Sequence, residues 1–143
     1  YEISAFAKQG FISQHNSSYW TGLKYLGFGP SAHSFDGEHR WWNVSSLPKY
    51  IAGINNSTPN LEKEDIDLTT KYNEYIITGL RTVWGIDLEV LKSRFGDELY
   101  DYFLQNSKRY FNLEYLKKEN TNVTLTHKGI FISDGIMSDL MKV

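Results

Sequence analysis

The chain of 143 residues carries 15 basic and 17 acidic side chains, a formal charge of −2, 41% hydrophobic residues and no cysteine. No apolar run approaches the roughly 20 residues of a membrane helix, the scattered basic residues give no footprint for a phosphate backbone, and disulfides, thiolate metal sites and a Cys nucleophile are excluded. What remains is one ordinary domain or two small units, able to bury roughly two-thirds of the unfolded surface, with no nucleic-acid partner and no transmembrane segment.

The sequence opens at Tyr1 with no initiator Met and no helix cap, and so reads as a piece of a longer protein. YEISAFA, residues 1 to 7, alternates and is β-branched and aromatic, which predicts a short strand. HNSSYW, His15 to Trp20, predicts a loop, because Asn and Ser side chains compete for backbone hydrogen bonds. A second apolar stretch, Tyr25 to Phe28, predicts a strand that ends at Gly29 and Pro30. SSLPKYIAGI predicts a helix with Ser46 as N-cap, Pro48 in the first turn, and Tyr50, Ile51 and Ile54 on one face. Strand, loop, strand, loop and helix make an α/β pattern whose remaining strands are expected upstream. Asn55 to Asp65 is polar, carries Pro59 and predicts a linker, with a domain boundary near residue 60.

Beyond it, Leu68, Tyr72, Tyr75, Ile76, Leu80 and Val83 follow the three-and-four spacing of a helix with one buried face. Gly85 stops that helix, Asp87 caps a shorter one carrying Leu88, Leu91 and Phe95, and Gly96 stops the second. Tyr100, Phe103, Leu104, Phe111 and Leu116 continue the helical spacing, with a break among them. TNVTLT alternates as a strand, and Thr126 caps a closing helix with Ile130, Ile136 and Leu140. Several helices, a short strand pair and a last helix predict a mainly α, winged-helix-like module. It lacks a basic recognition face for DNA.

Five places are candidates for chemistry. His15 beside Tyr19 and Trp20 suits either a ligand, since neutral imidazole is the commonest protein ligand of haem iron, or a polar residue packed on aromatics. GFGPSAHSF, Gly27 to Phe35, is a Gly-rich turn that lets backbone approach a ligand, without the spacing of a phosphate loop. Its His33 and Ser34 would need an acidic partner to make a hydrolytic triad. His39, Arg40, Trp41 and Trp42 set a cation among aromatics, either to hold a planar ligand bearing carboxylates or to line an amphipathic strand. His127 is expected at the surface near a helix start, and Glu2 is either a buried polar group or an ordinary edge residue. Sequons at Asn16, Asn43, Asn56 and Asn122 would matter only in a secreted protein, and no signal-peptide pattern points there, so a cytoplasmic location is expected.

YEISAFA (1–7), HNSSYW (15–20), YLGFGPSAHSF (25–35), RWWNV (40–44), ITGLRTVWGID (77–87) and LTHKGIFISD (125–134) together resemble the C-terminal part of one family. It is the oxygen-independent coproporphyrinogen III oxidase family of radical S-adenosylmethionine proteins, in particular its HemW-type haem-chaperone branch. The resemblance implies that residues 1 to about 60 are the last strands of an incomplete α/β barrel and that residues 61–143 are the helical C-terminal domain. It further implies a four-iron four-sulfur cluster and S-adenosylmethionine in the longer protein, held by a CxxxCxxC motif that this cysteine-free chain does not contain. The chain itself would then not be catalytically competent.

The pattern HNxxYW marks the chaperone branch and stands intact as His15, Asn16, Tyr19 and Trp20. The resemblance makes His15 the axial haem ligand, with Asn16, Tyr19 and Trp20 shaping the site and flanking the ring. The implied function is binding and delivery of haem to a recipient protein; the alternatives are a true oxidase, converting two propionates of coproporphyrinogen to vinyl groups, and a non-catalytic interaction module. Exposed barrel strands would seek partners, which predicts a dimer or strand exchange through residues 1 to 30.

Overall fold

The computed structural model describes all residues from 1 to 143. The chain forms two compact units, a helical unit of Tyr1–Gln14 with Asp67–Val143 and a sheet unit of His15–Ile66. The elements are a small α/β set: six helices and two three-stranded antiparallel sheets.

The helical unit is built as its periodicity predicts. Helix α3, Leu68–Leu80, is capped by Asp67, whose side chain accepts from the Thr70 amide, and it buries Tyr72, Ile76 and Leu80 on one face. Val83 lies beyond its end and is exposed. Helix α4, Leu88–Asn112, begins at Asp87, which accepts from the amides of Glu89 and Val90. Gly96 interrupts it at φ 81° and ψ 176°, so the predicted stop is a kink between two helical segments. That conformation is one a side chain would disfavour. Leu116 is not helical: α4 ends at Asn112, the chain reverses at Glu114 with φ 59°, and Leu116 opens strand β5, Leu116–Glu119.

Strand β6, Asn122–Leu125, pairs with β5 on one side and with β4, Ile86–Asp87, on the other. Gly85 precedes β4 at φ 73°, where an added Cβ would run into the Val123 carbonyl. The closing helix divides into α5, His127–Ile130, capped by Thr126 as predicted, and α6, Ser133–Leu140. The core gathers Tyr72, Ile76, Leu80, Leu91, Phe103, Val123, Ile136 and Leu140 from these elements. The Tyr72 hydroxyl donates to the Leu140 carbonyl at 2.9 Å, and burial pushes that phenol well above its ordinary range.

Residues 1 to 7 do not form the predicted strand. Ile3 donates to the Arg81 carbonyl and Val83 to the Tyr1 carbonyl, and pairing stops at isolated bridges of Glu2 with Ala5 and with Thr82. Glu2 is the buried polar group of the two alternatives: its carboxylate accepts from Arg81 Nε at 3.0 Å and Nη2 at 2.7 Å, and from the Ser4 amide and hydroxyl. Burial raises this carboxyl, but the bonds from Ser4 and Arg81 outweigh it and hold it below its ordinary value.

The sheet unit departs further from the sequence reading. HNSSYW is helical: α1 covers Gln14–Trp20, and its hydroxyls bond back into the turn, Ser18 to the His15 carbonyl at 2.6 Å and Thr21 to that of Ser17 at 3.1 Å. Used this way, the serines cease to compete with the helix. The second predicted strand reduces to one reciprocal pair, Tyr25 with Phe35, because the next amide inward, Gly27, donates to the Ser34 hydroxyl instead.

The true strands come later. They are β1, His33–Phe35, β2, His39–Asn43, and β3, Leu61–Asp65, in that order. The linker therefore ends in an edge strand whose five residues are all exposed. Between β2 and β3 lies α2, Leu47–Asn55, with Ser46 at its N-cap and Pro48 in its first turn. Because residues 1 to 30 hold bridges rather than strands, the row of unpaired strand groups on which the expected dimer was argued is not there.

Candidate functional site

His15 sits in the first turn of α1, exposed to solvent. Tyr19 follows one turn later, and such a spacing puts both side chains on one helical face. The Tyr19 hydroxyl is 3.2 Å from His15 Nε2, and the two rings meet edge to face with centroids 5.2 Å apart.

The row then continues. Tyr19 meets Tyr25 edge to face at 5.0 Å, Tyr25 lies 6.1 Å from Phe35, and the Arg40 guanidinium stands over the Phe35 ring at 5.9 Å. Arg40 also faces Glu64 across the β2–β3 pair at 3.8 Å. An exposed imidazole thus begins a run of rings that ends on a cation.

The glycine-rich segment is fixed from several sides. Asn43 is buried and its side-chain amide donates to the Gly29 carbonyl at 2.9 Å, while the Gly29 amide donates to the Tyr50 hydroxyl at 3.1 Å. Ser34, also buried, accepts from the Gly27 amide at 3.0 Å. His33 points the other way, as neighbours on a strand do, and lies against Trp42 at 5.5 Å. Ser34 and His33 therefore form no nucleophile and base pair.

His39 lies between two carboxylates, 3.2 Å from Asp36 and 3.6 Å from Asp65. The His39 and Glu38 amides, joined by the His39 ring, hold the Asp36 carboxyl far below its ordinary range. The Trp42 indole donates to Glu62 at 2.9 Å. Trp41 and Trp42 are half-buried. His127 is exposed at the start of α5, as expected, and packs edge to face on Phe131 at 5.4 Å. No group of three or more His, Asp or Glu side chains is placed to hold a metal ion, and no helix is long and apolar enough to cross a membrane.

Sequence reasoning singled out the two ends of this row, His15 with Tyr19 and Arg40, but missed Tyr25 and Phe35 between them. The signal for Tyr25 was hidden because it was assigned to a strand that does not form.

Residues 66–132 match the family described as the HemN C-terminal domain. This stretch, 67 of the 143 residues, is similar to that domain. The matched stretch takes in α3, α4, the β4–β6–β5 sheet and α5 of the helical unit. A Bacillus subtilis (strain 168) protein named heme chaperone HemW is 30% identical over 137 residues, covering 95% of this chain and 36% of that protein. The heme chaperone HemW of Lactococcus lactis subsp. lactis is 22% identical over 99% of this chain and 37% of its own length.

The chain therefore spans little more than a third of the length of these curated relatives. A mouse protein named radical S-adenosyl methionine domain-containing protein 1, mitochondrial, is 54% identical over 33 residues, 23% of this chain and 8% of its own length. Among solved structures, the HemN coproporphyrinogen III oxidase of Escherichia coli, titled a radical SAM enzyme, superposes with a TM-score of 0.65 at 15% identity over 92% of this chain and 34% of its own. That likeness is one of fold.

Proposed function

We propose that this chain is part of a haem chaperone and that His15 supplies an axial ligand to the haem it carries, with Asn16, Tyr19 and Trp20 shaping the site around it. The observation that carries the reading is the exposed His15 imidazole at the head of the row Tyr19, Tyr25, Phe35 and Arg40. Imidazole is the commonest protein ligand of haem iron, flat rings suit a porphyrin face, and a guanidinium suits the propionates that a porphyrin carries. The relatives named heme chaperone HemW span nearly all of this chain, which supports the same reading.

On this proposal residues 1 to about 60 derive from the last part of an incomplete α/β barrel. The helical domain follows from α3, Leu68–Leu80, onward, with β5 and β6 as the hairpin of a winged-helix-like module. The partner is a haem-recipient protein in the cytoplasm. A four-iron four-sulfur cluster needs thiolates that this chain does not supply, so cluster and S-adenosylmethionine belong to other residues of the full-length protein.

The test is haem titration of the full-length protein. Added haem should give a Soret shift that His15→Ala abolishes; an unchanged shift in that variant sinks the assignment. Anaerobic decarboxylation of coproporphyrinogen with consumption of S-adenosylmethionine would instead make the protein an oxidase.

A further inference from the structure

The imidazole on which the haem reading rests has its Nε2 already engaged. The Tyr19 hydroxyl lies 3.2 Å from that nitrogen, from one helical turn further along. Tyr19 is itself held: its ring meets Tyr25 edge to face at 5.0 Å, and the Tyr25 backbone is bridged to Phe35 by two hydrogen bonds of 3.0 and 2.9 Å.

A hydrogen bond at an imidazole nitrogen and a metal–nitrogen bond use the same in-plane direction. If Nε2 accepts the phenol proton, its lone pair is occupied; if Nε2–H donates to the phenol oxygen, it carries a proton that must leave before a metal binds. In both cases the hydroxyl and an iron exclude each other at Nε2. Tyr19 is 43% exposed, so water can take up the hydroxyl once it turns away.

We propose that Tyr19 is a positioning residue that covers His15 Nε2 and that haem iron must displace. The proposal rests on the reading of His15 as haem ligand. When the phenol is the donor, it keeps its proton and turns it toward water; when Nε2–H is the donor, that proton passes to solvent while Nδ1 takes one up, so the ring that binds iron through Nε2 stays neutral. No group is oxidised or reduced. Only molecules with the cover open bind, so the closed fraction lowers the apparent association rate and affinity by the same factor. For one partly exposed hydrogen bond that factor is about three- to tenfold.

The experiment uses the full-length protein with Tyr19→Phe, which removes the hydroxyl and keeps the ring against Tyr25. Haem should associate about three- to tenfold faster, with the same final Soret band. An unchanged or slower association overturns the proposal. A second readout avoids haem altogether: diethyl pyrocarbonate acylates an uncovered imidazole nitrogen, and peptide mass mapping reports His15 separately from His33, His39 and His127. Acylation of His15 should quicken in Tyr19→Phe by a similar factor.

The two readings fail separately. A His15→Ala protein that takes up haem like wild type removes the haem reading, while the acylation rates still decide whether Tyr19 covers Nε2. A His15→Ala protein that loses haem, together with a Tyr19→Phe protein in which neither rate moves, removes the cover alone. Faster acylation with an unchanged haem rate would mean ligation through Nδ1 and likewise overturns the displacement.

Discussion

The two units of this chain differ in how much apolar surface they bury. The helical unit hides Tyr72, Ile76, Leu80, Leu91 and Phe103, whereas the sheet unit, apart from Ile66, hides Ser34 and Asn43 and leaves Phe28 82% and Leu26 62% exposed. One is held by apolar burial. The other is held by cross-strand pairing and by side chains bonded to backbone, such as Asn43 to Gly29 and Tyr50 to Gly29. The contrast shows that local order does not require a core, and it accords with a candidate site whose His15 and Tyr19 are exposed and whose Tyr25 and Phe35 are only half-buried.

Truncation should separate the units most sharply. Phe103→Ala, at a fully buried position of α4, should destabilise the helical unit by about 3–5 kcal/mol, whereas Phe28→Ala should stay within about 0.5 kcal/mol. Denaturant unfolding followed by circular dichroism compares them, and equal losses would erase the distinction.

Next comes the Glu2 pair. Glu2→Ala strands a guanidinium that is only 27% exposed and should cost about 2 kcal/mol. Because the folded carboxyl sits below its ordinary value, its stabilisation is present above the unfolded pKa, near 4.3, and is lost as pH falls through the folded value. Glu2→Gln should flatten that part of the acid limb, and an identical pH profile in the variant would remove the pair from the account.

Asp87→Ala takes away the acceptor for the Glu89 and Val90 amides and should cost about 1 kcal/mol, seen as a lower denaturant midpoint with an unchanged slope. The smallest effect belongs to the site. His15→Ala should change stability by less than about 0.5 kcal/mol, since the residue is exposed; a larger loss would mean that His15 is structural.

Amphipathic spacing and caps determined much by themselves: α3 and the start of α4 with its Asp87 cap, the Gly96 interruption, β6, the Thr126 cap, and Ser46 at the start of α2, whose hydroxyl makes no capping bond. These features depend on residues within one or two turns of each other, so the chain declares them locally. The site was legible in its motif, His15 through Trp20, but not in its conformation, because hydroxyls that compete with a helix can also bond back into one.

Only the tertiary structure decided the rest. It made an edge strand of the polar segment Leu61–Asp65, whose partners in β2 lie some twenty residues away. It placed Glu2 on Arg81, 79 residues distant, and it brought Tyr25 and Phe35 between His15 and Arg40. Such pairings leave no period in the sequence. They are chosen by which backbone groups remain unpaired once the local elements have formed.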